Sequence, residues 1–353
     1  MAVVEGDKER EPLIPGLPDE VAELCLLHVP YPYQALVRSV SSSWNRAITH
    51  PAFKKTLSRS YLFVVAVNKA TGKIQWQALD PSSARWFVLP PMPLSDAGGQ
   101  TSFACASLPR QGKLFVMGMK TAVVYSTATN QWSVASGVPG GRSFFAAEEV
   151  NGRIVAVGER GTGIYDPEKD KWTRGAALSG ELKRYEAAAV EGKVYVTEGW
   201  CWPFTRRPRG WAYDSERDTW REMREGLRDG WTGVSVAVEG KLFVIPEYGD
   251  LPVKFYDEGT DTWRCVAGDR FPREAMQRPF CGRGLDGKIY VVSSGLNVAI
   301  GSVVFVNNVP QHDSHNDNNN GGQGVGVELT WQVVEAPPAF REFSPSSCQV
   351  LYA

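Results

Sequence analysis

Gly192-Lys193-Val194-Tyr195-Val196 leads through Tyr213-Asp214-Ser215-Glu216-Arg217-Asp218 to Trp220, and the same order of residues recurs along the chain. Other copies begin at Gly112-Lys113-Leu114-Phe115-Val116, Gly152-Arg153-Ile154-Val155, Gly240-Lys241-Leu242-Phe243-Val244 and Gly287-Lys288-Ile289-Tyr290-Val291. The starts lie 40, 40, 48 and 47 residues apart, and the units end at Trp132, Trp172, Trp220, Trp263 and Trp331. So regular a period marks a repeat array, in which each copy buries its neighbour's face.

The residue chemistry of one unit is that of β-structure. Glycine takes positive φ without steric cost, so the Gly-basic pair reads as a turn. The run after it is β-branched and aromatic, which fits a strand buried on both faces. Tyr165-Asp166, Tyr213-Asp214 and Tyr256-Asp257 then open polar stretches that end at a Trp, giving strand, turn, strand. Before the Gly-basic turns lie runs of small residues, such as Ala104-Cys105-Ala106-Ser107, Ala187-Ala188-Ala189 and Thr232-Gly233-Val234-Ser235. Small side chains suit a crowded axis, so these runs are predicted as innermost strands. Four-stranded sheets set radially form a β-propeller.

Tyr61–Val67, Ile74–Leu79 and Arg85–Leu89 supply three strands of a sixth unit without an inner one. Ser347-Cys348-Gln349-Val350-Leu351-Tyr352 follows the last Trp and matches the missing strand. A blade built from both ends of the sequence leaves no free sheet edge between blades. The prediction is a six-bladed ring over residues 58–353, with an Asn/Gly-rich loop at 307–326.

Residues 12–57 break this pattern. Leu17-Pro18-Asp19-Glu20 reads as a helix start with Asp19 as cap. Val21, Leu24, Cys25 and Leu27 follow at helical spacing, and Pro30 and Pro32 end that helix. Leu36, Val37, Val40, Trp44 and Ile48 form a second apolar stripe. So short a segment cannot bury all its own apolar side chains. It is either a cap packed on the propeller or a docking surface for another chain. Residues 1–11 are polar and expected to be disordered.

The wider composition narrows the function classes. Net charge is −1, so no global electrostatic pull toward nucleic acid or membranes is expected. The run at Tyr61–Val67 is too short to span a bilayer, and residues 1–10 lack a signal peptide's apolar centre. Six cysteines occur singly, most within predicted strands, which fits reduced buried thiols.

The segment from Leu17-Pro18-Asp19-Glu20-Val21 through Val29-Pro30, Val37-Arg38-Ser39-Val40, Trp44, Ile48, Pro51 and Phe53 resembles an F-box. Ser41 and Cys25 depart mildly from that pattern. The repeats resemble kelch repeats, although most copies keep one Gly of the family's Gly-Gly pair, as at Gly118, Gly158 and Gly199. The whole chain resembles plant F-box/kelch-repeat proteins: an all-β six-bladed kelch-type propeller preceded by a small all-α F-box domain. That resemblance implies the substrate receptor of an SCF ubiquitin ligase, acting in phytochrome A light signalling from the nucleus or cytoplasm. It implies a plant Skp1-type adaptor and, through it, cullin and RING subunits. The predicted adaptor-docking residues are Leu17, Pro18, Val21, Cys25, Leu26, Val29, Val40, Trp44 and Ile48.

A catalytic or metal site finds little support, and no cofactor is expected. His28 and His50 lie in the F-box; His312 and His315 lie in the Asn-rich insert. No histidine falls on a predicted propeller strand, which excludes a His-based relay or His-ligated centre in the channel. Gly158-x-x-Gly161-x-Gly163 joins two strands with no helix after it, so it reads as a blade turn. Glu148-Glu149 sits on a strand with no spacing that marks an acid and a base.

In a four-stranded blade, alternate connections fall on opposite faces. Arg142, Arg184, Trp231 and Arg278 are placed on the face that also carries Trp200-Cys201-Trp202-Pro203-Phe204-Thr205-Arg206-Arg207-Pro208-Arg209. Arg beside aromatic residues is the usual anchor of protein interfaces. Arg142, Arg184, Trp200, Trp202, Trp231 and Arg278 are therefore the expected substrate-binding residues. Arginines here either meet an acidic partner or pair with neighbouring blades, and the Trp residues either contact substrate or pack on their own blade. Rival functions are a small-ligand sensor or enzyme using the channel, and a scaffold outside any ligase.

Overall fold

The computed structural model describes residues 12–50, 59–93, 103–118, 121–136, 144–158, 161–178, 180, 182, 186–200, 205–310 and 323–353. Six β-sheets form the larger part of the chain. Blades 2 to 5 each run from inside to outside in chain order, with inner strands Ala104–Leu108, Phe144–Val150, Glu186–Val190 and Gly233–Val238. Blade 6 begins at Gln277–Leu285, and a two-residue strand, Ala267–Gly268, adds in parallel to its outer edge.

Blade 1 closes the ring as the sequence predicts. Its inner strand is Phe343–Tyr352, hydrogen-bonded antiparallel to Ser60–Asn68, with Leu62 opposite Val350 and Phe63 opposite Gln349. Ile74–Asp80 and Arg85–Val88 complete it. In blade 6, the third and fourth strands run from Val298 to Pro310 and from Gln323 to Val334, pairing as far as Pro310–Gln323. The predicted loop at 307–326 is thus too wide at both ends, because β pairing continues into it. Residues 311–322 lie outside the described residues.

The repeated residues each have a structural task. Gly112, Gly152, Gly192, Gly240 and Gly287 all have positive φ. Asn151, Glu191, Glu239 and Asp286, just before four of them, do too. Two left-handed residues in succession give the hairpin turn whose twist matches that of its strands. Tyr165, Tyr213 and Tyr256 donate from their hydroxyls to Asp170, Asp218 and Asp261 at 2.6, 2.7 and 2.6 Å, closing the next turn. Trp132, Trp172, Trp220 and Trp263 donate from Nε1 to backbone carbonyls of Pro90, Ser136, Ala176 and Gly226. Each bond ties a blade's outermost strand to the connection that enters that same blade.

One apolar cluster fills each seam between neighbouring blades. Close packing around the axis explains the small inner residues. At Gly284 a Cβ would lie 2.2 Å from the Ala237 carbonyl, so no larger residue fits without backbone movement.

The N-terminal helices are α1 (Asp19–Leu27), α2 (Gln34–Val37) and α3 (Ser42–Thr49). The second apolar stripe is not one continuous helix. Ser41 leaves helical geometry and its hydroxyl accepts from the Trp44 backbone N–H at 3.1 Å, which starts α3 afresh. Among the described residues no helix is long and apolar enough to cross a membrane. Cys25 and Cys265 are exposed, which corrects the picture of buried thiols for those two; Cys105 and Cys348 are buried.

Candidate functional site

Two surfaces and one channel carry the functional residues. The helical domain has a very small core of its own, built on Leu26 and Ile48 with Val37, Trp44 and Ala47 against them. Leu26 and Ile48 are 2% and 6% exposed, so these two predicted docking residues instead hold the helices together. Trp44 is half-buried and its Nε1 donates to the Leu13 carbonyl, fastening the segment before α1. Val29 is half-buried, while Leu17, Pro18, Val21, Cys25 and Val40 face solvent.

Leu24 and Leu36, which were absent from the predicted docking set, are among the most exposed large apolar side chains, at 54% and 63%. With Leu17, Val21 and Val40, they give this small domain five exposed large apolar side chains, the kind of surface that interaction sites present. Helical spacing already puts Leu24 with Val21 and Cys25 on α1; which side of the short α2 faces outward could not be read from four residues.

The opposite face of this domain lies on the propeller. Tyr31 packs its ring on Tyr61 and Phe63, and its hydroxyl contacts that of Tyr125. Burial pushes both tyrosines' ionisation up, so these hydroxyls stay neutral. Blade connections at 127–130 receive Arg38, whose Nη1 donates to the Ala128 carbonyl at 3.0 Å. The domain therefore sits on the face carrying the connections between third and fourth strands.

On the other propeller face the predicted substrate residues separate. Arg142, Arg184 and Trp202 lie outside the described residues. Trp231 is wholly buried in the seam between blades 4 and 5, against Met223, Leu227 and Leu242, so it is a core residue and not a surface anchor. A helix at Glu225–Asp229, here α4, precedes it. Trp200 is half-buried and donates from Nε1 to the Asp229 carbonyl at 2.8 Å, packing against that helix. Arg207 pairs with Asp229 at 3.5 Å and Arg209 with Glu198 at 2.7 Å, the structural alternative for these arginines.

Arg278 remains exposed, with its guanidinium 4.2 Å from the Tyr248 ring centroid. Stacking holds the planar group still while leaving its edge open. Tyr248 and Leu251 beside it are 58% and 49% exposed.

Between the two faces, the channel is plugged. Arg283 on blade 6 donates from Nη1 to both Glu148 carboxylate oxygens on blade 3, at 2.8 and 2.7 Å. Its Nε and Nη2 reach Gln349 Oε1 on blade 1 at 3.1 and 2.9 Å, and Gln349 Nε2 donates to the Cys105 carbonyl on blade 2. Burial pushes the Glu148 carboxyl up, and the adjoining guanidinium only partly offsets that. The pair borders a cavity of about 260 Å³ on the side of Glu247 and Ser346, and one of about 180 Å³ on the side of Pro109 and Leu285. Among the described residues no cluster of His, Cys, Asp and Glu could hold a metal ion.

Comparison with known proteins agrees with this geometry. The F-box domain model matches residues 14–56. The F-box protein AFR of Arabidopsis thaliana is 48% identical over 97% of this chain and 93% of its own length. F-box/kelch-repeat protein At1g30090 of the same plant is 34% identical over 97% of this chain and 87% of its own. A solved chain from a crystal structure of a nidogen/laminin complex superposes with a TM-score of 0.51 at 8% identity, covering 83% of this chain and 98% of that one. That likeness concerns the fold alone. An F-box joined to a propeller, with such relatives, supports a substrate-recognition adaptor role. From its helices to its closing strand, this chain belongs to the F-box/kelch-repeat family.

Proposed function

We propose that this protein is the substrate-recognition subunit of an SCF ubiquitin ligase. The F-box binds a Skp1-type adaptor, which links it to cullin and RING subunits, and the propeller binds a protein destined for ubiquitination. The observation that carries this reading is the apolar face of Leu17, Val21, Leu24, Leu36 and Val40, exposed on a domain that matches the F-box family. Its contribution to the reaction is proximity: binding turns a bimolecular encounter into a local one. The finer reading is a role in phytochrome A far-red signalling, in the nucleus or cytoplasm.

Substrate meets the face of the propeller away from the F-box. Arg278 on Tyr248, with Leu251, forms the anchor among the described residues. Co-expression with a plant Skp1-type adaptor tests the main reading. The wild-type chain co-purifies with it, and Leu17→Ala with Pro18→Ala loses it. Retention by that double variant would overturn the adaptor assignment. Seedlings lacking the protein should respond weakly to continuous far-red light but normally to red; an unchanged far-red response would remove the signalling assignment.

A further inference from the structure

We propose that Tyr31 pins the F-box to the propeller as one rigid body, and so fixes the direction in which a bound substrate is presented. The second half of this inference rests on the ligase reading above; the first half does not. Tyr31 stands between α1 and α2, yet only 1% of its surface is exposed. Its cover comes from the propeller. The ring centroid lies 5.0 Å from that of Tyr61 and 5.8 Å from that of Phe63, within the cluster joining blades 1 and 2. The hydroxyl meets Tyr125, which itself donates to Asn130 Oδ1 at 2.7 Å. Arg38 to the Ala128 carbonyl, and Tyr33 edge-on to Phe87 at 6.2 Å, flank the plug on either side.

The repeat shows that this socket differs from its counterparts. From the last residue of the third strand, blades 3, 4 and 5 carry paired aspartates: Asp166 with Asp170, Asp214 with Asp218, and Asp257 with Asp261. Blade 2 has Ser126 and Asn130 at those places. Asn130 keeps the left-handed backbone, with φ 51°, and keeps the tyrosine bond. Turn geometry is retained while both carboxylates are gone, and this is the turn on which the F-box rests. A carboxylate at Asn130, next to the buried Tyr31–Tyr125 hydroxyl pair, would carry a desolvation cost that the amide avoids. Modules joined by small polar contacts move freely by default; an aromatic plug buried among Tyr61, Phe63 and Tyr125 removes that freedom.

Tyr31 is accordingly a positioning residue. Among the described residues, each module has one exposed thiol, Cys25 on α1 and Cys265 on blade 5. With Cys201 and Cys281 changed to Ser, spin labels on these two read the distance between modules. A single narrow distribution is expected, unchanged in position by Tyr31→Phe and broadened about twofold or more by Tyr31→Ala. A broad distribution in the parent chain, or a Tyr31→Ala distribution as narrow as the parent's, overturns the proposal. If Tyr31→Ala does not fold, Tyr33→Ala combined with Arg38→Ala must broaden it, and an unchanged width overturns the proposal equally.

Self-ubiquitination in the complex reconstituted with adaptor, cullin and RING subunits gives the second readout. The parent chain is modified on few lysines. Tyr31→Ala still captures the adaptor, spreads modification over more lysines, and slows the favoured ones about tenfold. The same lysine pattern in both chains overturns the positioning role. Failure of the parent chain to capture adaptor would sink the ligase reading instead, leaving the distance measurement to judge the rigid docking.

Discussion

Arg283 and Glu148 sit on inner strands of blades on opposite sides of the ring, and their side chains meet across the axis at 2.7 Å. Both are largely withdrawn from water, at 22% and 10% side-chain exposure. Each charge depends on the other for compensation. Glu148→Ala strands a buried guanidinium and should cost about 3–5 kcal/mol in denaturant unfolding. Glu148→Leu combined with Arg283→Met removes both charges and should recover most of that loss. Equal stability of the single and double variants would show that the pair is not a unit.

Two of the Tyr–Asp turns, those of Asp170 and Asp261, should contribute to stability in acid. The Tyr165 hydroxyl, with lesser help from Ser136 and Lys113, holds the Asp170 carboxyl below the usual range. Burial opposes the same shift at Asp261, but the Tyr256 hydroxyl, the Gly226 and Leu227 N–H groups and Arg224 outweigh it. A carboxyl whose ionisation is depressed by folding stabilises the fold above its unfolded value, about 3.9, and loses that contribution as pH falls through the folded value. Melting temperature should therefore drop from pH 4 downward. Asp261→Asn should flatten that acid limb, and Tyr256→Phe should cost about 1–2 kcal/mol near neutrality.

Within the F-box, two kinds of apolar residue should behave oppositely. Leu26→Ala removes a buried side chain and should destabilise the helical domain by about 2–5 kcal/mol, seen as lost helical signal. Leu36→Ala and Val21→Ala should leave that signal intact while weakening adaptor capture. Loss of fold in the second pair would mean that these residues also support the helices.

On the far face, Trp231 and Arg278 should likewise part. Trp231→Ala opens the seam between blades 4 and 5 and should cost about 3–5 kcal/mol. Arg278→Ala should change stability by no more than about 0.5 kcal/mol and still reduce capture of the proteins that the intact chain retains when the proteasome is blocked. Unchanged capture would remove Arg278 from the binding surface.

Removing residues 343–353 leaves Ser60–Asn68 as an uncovered sheet edge. The shortened chain should aggregate, and light scattering at moderate temperature should report it. A monomeric, cooperatively melting product would mean that blade 1 holds without its inner strand.

These contrasts also show what the sequence could convey. The ring was legible because its signals are local: a glycine at each hairpin, a tyrosine five residues before its turn partner, a tryptophan reaching back to its own blade. Closure was legible because one unit lacked a strand and one strand lacked a unit. Glu148 and Arg283 are 135 positions apart, and only the radius of the finished ring brings them together. Trp231 lies where a face connection should be, but its indole turns inward because Leu227 and Met223 leave it an apolar pocket. Tyr31 carries no periodic signal at all. Its partners are on another module, and the clue to them is the pair of aspartates that blade 2 lacks.

The way the helical domain joins the ring has a mechanical consequence. Arg59 bonds to Ala353 in both directions, and the strand that follows is clamped by ladders on its two sides. Tension from the helices pulls that strand lengthwise, so many hydrogen bonds must yield together instead of peeling one at a time. A ring joined in this way resists being unravelled when its helical domain is pulled.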